Sequence, residues 1–239
     1  MAVIYSKQSQ DALYEVRTHG QSIRLYSNGV LHSQYNPYRK ISGAIWDLLV
    51  LPVFFKREAP YKVLVLGLGG GTVVHLIRHF FPECEIYCVE REAMHIQIAR
   101  RFFKVPNTVN IIKGDAYEYL AQSKESFDWI LDDVFQHATG EPERDVAFSD
   151  IFNLYKKRLA KNGVLSMNTI GKQQLKELKI LKSDFESGYV FRHPLYENAI
   201  VSLFNSGRSK AEFFKETLKH KELDTRRKTC RLDVSLRAF

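Results

Sequence analysis

Four acidic or glycine-bearing strand ends define the chemistry this chain could do. Val63-Leu64-Val65-Leu66 is a run of apolar residues that breaks into Gly67-Leu68-Gly69-Gly70-Gly71 before Thr72 opens a helical pattern. Glycine tolerates positive φ and lets a ligand approach the backbone closely. A second apolar run closes on Glu90, nineteen residues beyond Gly71, near the spacing at which a carboxylate meets ribose hydroxyls. Gly114-Asp115-Ala116 closes a third run, where Asp115 could accept from an adenine amino group or simply cap the following helix. Asp132-Asp133 closes a fourth. The glycine spacing is G-x-G-x-G. Thr72 stands where a dinucleotide fingerprint would need a third glycine, so an S-adenosyl-type nucleoside is the better match.

The elements that must carry these ends alternate. Strands are expected at 62–66, 85–90, 109–112, 127–132 and 163–168. Helices are expected at 72–81, 92–103, 116–122, 146–160 and 172–184. Such alternation predicts an α/β fold with a doubly wound, mostly parallel sheet, in which all four ends project to one edge. Strands near 189–192 and 199–204 suit an antiparallel edge hairpin. Residues 1–40 read as a small β-rich segment turning at Asn28-Gly29, and a helix over 42–51 follows, ending near Pro52. The expected division is therefore 1–40, an S-adenosyl nucleoside-binding domain over 41–206, and a basic helix and tail over 207–239.

Composition narrows the function classes. The 239 residues are 45% hydrophobic, enough for a full core, and no run approaches a membrane span of roughly 18 apolar residues. Three cysteines make no disulfide framework, no His/Cys cluster has metal-ligand spacing, and the N-terminus reads without a signal peptide, so a cytoplasmic protein without metal is expected. Net charge is +8, of which Gly207–Phe239 carries +5, from ten Lys/Arg against five Asp/Glu. A solvated charged helix explains that tail, and nucleic-acid binding is not expected.

Lys62 through Thr72, Gly114-Asp115-Ala116-Tyr117-Glu118-Tyr119-Leu120, Phe127 through Asp133, Leu159 through Leu165, and the Asn28-Gly29-Val30 turn resemble the spermidine synthase (polyamine aminopropyltransferase) group of the S-adenosylmethionine-dependent methyltransferase fold. The resemblance covers most of the chain. It implies a transferase using S-adenosylmethionine or its decarboxylated form, with Gly67, Gly69, Gly71, Glu90, Asp115 and Ala116 at the nucleoside. It implies Asp133 as the carboxylate that orients and deprotonates an attacking amine. It also implies His32, Gln136 and Tyr196 on the substrate side, a small-molecule acceptor such as a polyamine, and a homodimer through the N-terminal β-segment.

The chain departs from that pattern where the group carries charge. The aspartate that contacts the aminopropyl amine falls on Gly70, the second catalytic-loop aspartate on Gln136, and the glutamine after the turn on His32. An acidic, tyrosine-containing gatekeeping segment is replaced by Tyr35-Asn36-Pro37-Tyr38-Arg39-Lys40. A polyamine needs compensating carboxylates. These departures tilt the expected reaction toward S-adenosylmethionine itself and a non-standard acceptor. Standard spermidine synthesis and a non-catalytic nucleoside-binding scaffold are the alternatives. His137, in the loop after Asp133, reads as an exposed loop histidine before it reads as a base.

Overall fold

The computed structural model describes residues 1–10, 12–135 and 144–239. An antiparallel sheet comes first: β1 (Ala2–Gln8), β2 (Leu13–His19), β3 (Ser22–Ser27) and β4 (Val30–Tyr35), paired in chain order. Asn28 (φ 49°) and Gly29 (φ 81°) form the tight turn between β3 and β4. Both central residues of that turn need positive φ, which is why this dipeptide marks it.

Helix α1 (Ile45–Val50) follows and runs into a 3-10 turn, Leu51–Phe55. The α-helix ends at Val50, next to Pro52 as expected, and Pro52 sits in the first turn of the 3-10 segment that follows, where a missing N–H is tolerated. The α/β unit then runs β5 (Lys62–Leu66), α2 (Thr72–Phe80), β6 (Glu85–Glu90), α3 (Ala93–Arg101), β7 (Asn110–Lys113), α4 (Ala116–Gln122), β8 (Phe127–Asp132), α5 (Phe148–Arg158), β9 (Leu159–Thr169) and α6 (Gly171–Leu181). It closes with β10 (Ser187–Arg192), β11 (Ala199–Phe204), α7 (Lys210–Thr217) and β12 (Ser235–Ala238). No described helix is long and apolar enough to cross a membrane.

The eight-stranded sheet has the order β12-β10-β11-β9-β8-β5-β6-β7. Its β7-β6-β5-β8-β9 portion is parallel, and β11, β10 and β12 add antiparallel strands. The mostly parallel α/β architecture expected from the alternation is present, as is the antiparallel hairpin. Strand β12 was not expected. Its four residues pair with β10, so the end of the basic tail completes the sheet edge.

Strand β5 shows why the sheet is buried on both faces. Val63 and Val65 enter a core shared with α1 and α2, while Leu64 and Leu66 enter a second core shared with α4, α5 and α6. All four are at most 1% exposed. A third cluster, Tyr14, Val16, Leu25, Ile98 and Phe103, seats the N-terminal sheet on α3.

Candidate functional site

A cavity of about 310 Å³ lies over the carboxyl ends of β5, β6 and β8 and the N-terminus of α4. That is the edge where an open parallel sheet binds ligands, and the volume is at the lower end for a small-molecule site.

The glycine loop forms one wall. Gly67 (φ 89°), Gly69 (φ 50°) and Gly71 (φ 88°) all lie in the left-handed region. A Cβ on Gly67 would stand 2.6 Å from the carbonyl oxygen of Asp133, so the loop passes against the end of β8 with no room for a side chain. Gly67 and Gly69 line the cavity. Gly71 is the N-cap of α2, packed against the side chain of Val105, and does not line it. A Cβ on Gly70 would lie 2.7–2.8 Å from the Phe103 ring and 2.8 Å from Ser33 Cβ. An aspartate there would have to displace both.

Every N–H of this loop is already spoken for. Gly67 N donates to Val89 O (2.9 Å) and Gly71 N to Leu68 O (2.8 Å). Leu68 N and Gly69 N donate to Glu90 Oε2 at 2.9 and 3.0 Å, and Gly70 N donates to Ser33 Oγ at 2.7 Å. A phosphate-binding loop needs free N–H groups aimed at the ligand. This one offers none, which fits a nucleoside without a phosphate bridge.

Glu90 ends β6 and is 7% exposed. Its other oxygen accepts from Glu92 N at 2.8 Å, and His95 Nδ1 stands 3.6 Å from Oε2. Burial alone would raise its pKa. The hydrogen bond and charge of His95, with the N–H groups of Glu92 and Gly69, outweigh that and hold it at about 2. His95 Nε2 in turn shares a 2.9 Å hydrogen bond with Ser27 Oγ of β3, tying the N-terminal sheet to this carboxylate. His32 reaches the cavity from β4, its ring centroid 5.1 Å from that of His95. Asp115 both lines the cavity and caps α4: Oδ1 accepts from Tyr117 N (2.8 Å) and Glu118 N (3.0 Å), while Oδ2 takes no hydrogen bond from the described residues. Ala116, the first residue of α4, lines the cavity beside it.

The paired aspartates at the end of β8 part company. Asp132 is fully buried and does not line the cavity. It accepts from Arg144 Nη2 at 2.8 Å and Nη1 at 3.1 Å, from Tyr117 at 3.3 Å, from Val134 N, and from the Tyr155 hydroxyl. The Arg144 guanidinium lies over the Phe148 ring, 4.3 Å from its centroid. Burial works against its charge, but Asp132 and the two tyrosines hold its pKa higher still than usual.

Asp133 faces the cavity, half-buried. Burial pushes its pKa up to about 7; the Asn168 hydrogen bond opposes this, the Asp132 charge adds to it, and Arg144 and the Trp46 indole oppose it. Asn168 Nδ2 donates to Asp133 Oδ1 at 2.7 Å, and Asn198 Nδ2 donates to Asn168 Oδ1 at 3.0 Å. A carboxyl near neutrality, held by an ordered amide chain, is poised to accept a proton at physiological pH.

Of the residues singled out from sequence, His32, Gly67, Gly69, Glu90, Asp115, Ala116, Asp133 and Tyr196 share the cavity. Gln136 and His137 lie outside the described residues. Arg39 and Lys40 line two smaller hollows and not this one. Sequence reasoning missed Trp46, His95, Asn168 and Asn198. Asn168 had a signal, its position near the end of β9 at the same sheet edge. Trp46 had none, since an apolar helix hides it.

Residues 63–158 match the methyltransferase domain family. A polyamine aminopropyltransferase of Vibrio vulnificus is 31% identical over 144 residues, 56% of this chain and 47% of that protein. The chain thus spans about half the length of this curated relative. A probable spermidine synthase of Corynebacterium glutamicum has a similar structure, with a TM-score of 0.77 at 18% identity, covering 100% of this chain and 91% of that one. A spermidine synthase solved with the transition state analogue AdoDATO gives a TM-score of 0.72 at 20% identity, covering 92% and 80%. At such identity the structural likenesses speak for the fold. The matched domain and the structural likenesses together give this chain the class I methyltransferase fold, and in sequence it is similar to polyamine aminopropyltransferases over about half of their length.

Proposed function

We propose that the chain is a transferase that uses S-adenosylmethionine, or its decarboxylated form, to alkylate a small acceptor through Asp133. The observation that carries this reading is the position of Asp133 at the seam of the cavity. On one side stand the glycine loop, Glu90 and Asp115, and on the other Trp46, Asn168 and Tyr196. The residues present fit an S-adenosyl nucleoside. Glu90 suits ribose hydroxyls and Asp115 Oδ2 an adenine amino group, and the loop N–H groups leave no phosphate site.

An S-adenosyl sulfonium supplies an electrophilic carbon and leaves as a neutral thioether. The protein's part is to orient the acceptor and remove a proton from it. Asp133, with a pKa of about 7, takes the proton that the acceptor nitrogen sheds as its lone pair bonds to that carbon. Asn168 and Asn198 hold the carboxylate in place, and positioning supplies much of the rate because the leaving group needs no acid.

The packing at Gly70 favours S-adenosylmethionine over its decarboxylated form. Phe103 and Ser33 fill the space where a carboxylate would greet an aminopropyl ammonium. Calorimetric titration of the two forms tests both points. Tighter binding of S-adenosylmethionine is expected. Clear preference for the decarboxylated form reverses the assignment, and binding of neither contradicts the proposed function. A cytoplasmic site of action and a homodimer through β1–β4 are part of the same reading.

A further inference from the structure

We propose that a basic hollow between the segment after β4 and the C-terminal tail binds a polyphosphate anion, free or as a nucleoside triphosphate. The hollow encloses about 260 Å³. Arg39 and Lys40 line it from one segment, and Lys221, Arg227 and Arg231 from the other. Glu222 is the one carboxylate in its lining among the described residues. Five cations against one anion leave a formal charge of +4 around a single concavity. The site is separate from the cavity over the sheet edge. Helix α2 has Thr72 at that cavity and His79 beside Glu222, about 10 Å further along at 1.5 Å per residue.

The anions nearby are already engaged. Glu222 Oε1 stands 3.4 Å from His79 Nε2 and 3.9 Å from Lys221 Nζ. Asp224 feels the charge of Arg227, but its carboxylate is held by Arg226, at 2.7 Å through Nε and 3.0 Å through Nη2. Lys40 Nζ donates to Pro37 O at 3.4 Å, a long contact. Among the described residues no carboxylate forms an ion pair with Arg39, Lys40, Arg227 or Arg231.

The cations ride on anchored chain. Ile41 and Leu223 are buried in one core, and Leu232 and Val234 pack against that core beyond Arg231. Between these anchors the tail folds on itself: Arg227 N donates to Asp224 O at 3.0 Å, and Cys230 N to Arg227 O at 3.0 Å. A Cβ on Gly43 would stand 3.2 Å from Arg231 O, so the two segments touch. Apolar packing thus brings like charges together. Their repulsion costs stability, and a bound polyanion turns that cost into attraction. The guanidinium forks of Arg39, Arg227 and Arg231 suit pairs of phosphate oxygens. Contact distances inside the hollow are shorter than the Debye length of about 8 Å at physiological salt, so the attraction persists there. Tyr38, 79% exposed, also lines the hollow and offers an open ring on which a nucleobase can stack.

Sodium tripolyphosphate, UTP and a short oligodeoxythymidine are titrated calorimetrically into the full chain at about 0.15 M salt. One-to-one binding of tripolyphosphate is expected. Arg39→Gln/Arg231→Gln takes one cation from each segment and should bind it at least about tenfold more weakly. Lys172→Gln/Lys215→Gln removes the same net charge from exposed helix positions away from the hollow, and should stay within about threefold of the parent. Should the arginine pair melt early, Arg227→Gln takes its place with the same expectation of weaker binding. UTP that binds more tightly than tripolyphosphate, and loses affinity in the same arginine variant, assigns the nucleotide. Equal or weaker binding of UTP assigns the bare phosphate chain. No binding of tripolyphosphate, an equal loss in the arginine and lysine variants, or tighter binding of the oligonucleotide than of tripolyphosphate each overturns the proposal.

Discussion

The two halves of the cavity are built in different ways. The half proposed for the nucleoside is made by local rules. A strand breaks into glycines of positive φ, the next strand ends in Glu90, and Asp115 caps the helix behind the third. Its anion is charged at any physiological pH, because His95 and backbone N–H groups hold Glu90 at about 2. The half proposed for the acceptor is assembled from distant segments: Trp46 from α1, Asn168 from β9, Tyr196 and Asn198 from the turn between β10 and β11. Its anion, Asp133, sits at about 7. Two carboxylates on one sheet edge thus differ by about five pH units, the kind of separation that marks one for binding and the other for proton transfer.

The sharpest way to break this contrast is at Asp133. Asp133→Asn should lower turnover by roughly 10²–10⁴-fold, as expected for a lost general base. The same variant should be more stable than the parent at pH 8. The folded-state pKa of Asp133 is raised from 3.8 to about 7, so the folded protein binds the extra proton between those values. Ionising the carboxyl costs stability as pH rises through that window, and the cost is full above about 7. The melting temperature of Asp133→Asn should therefore exceed that of the parent at pH 8 and match it below pH 4. A lower melting temperature at pH 8 would show that the carboxylate is not strained in place.

The contrast next predicts where truncation unfolds the site. Arg144→Ala leaves Asp132 buried among two tyrosines without its cation, and breaking such a pair typically costs about 3–5 kcal/mol. Chemical denaturation reads this directly. A change under about 1 kcal/mol would mean that the network contributes little to stability.

Glu90 behaves in the opposite sense to Asp133. Its folded-state pKa is depressed from 4.5 to about 2, so its contribution is full above pH 4.5 and is lost as pH falls toward 2. That contribution is of order 3 kcal/mol. Glu90→Gln should remove that part of the acid sensitivity, measured as the difference in unfolding free energy between pH 6 and pH 3. Smallest of the set, Asn198→Ala removes one hydrogen bond to Asn168 and should cost about 1 kcal/mol at most, read as a modest loss of turnover.

The same contrast explains what was legible in the sequence. That Gly67, Gly69, Glu90 and Asp115 meet at one cavity was readable because each lies within a few residues of a strand end, and the α/β alternation followed from periodicity. Strand β5 and helix α4 have the expected bounds. Strand β12 escaped because Ser235-Leu236-Arg237-Ala238 is short and carries no strong pattern; it exists through its pairing with β10. The separation of Asp132 from Asp133 was also hidden. It depends on Arg144 and Tyr155 converging from other segments, and adjacency in sequence says nothing of which carboxylate each will claim.

Calorimetric titration of S-adenosylhomocysteine into the parent chain, Glu90→Gln and Asp133→Asn tests the division of labour most directly. One-to-one binding to the parent, at least about tenfold weaker in Glu90→Gln and within about threefold of the parent in Asp133→Asn, is the predicted result. No binding to the parent, or a loss confined to Asp133→Asn with Glu90→Gln unaffected, would contradict it.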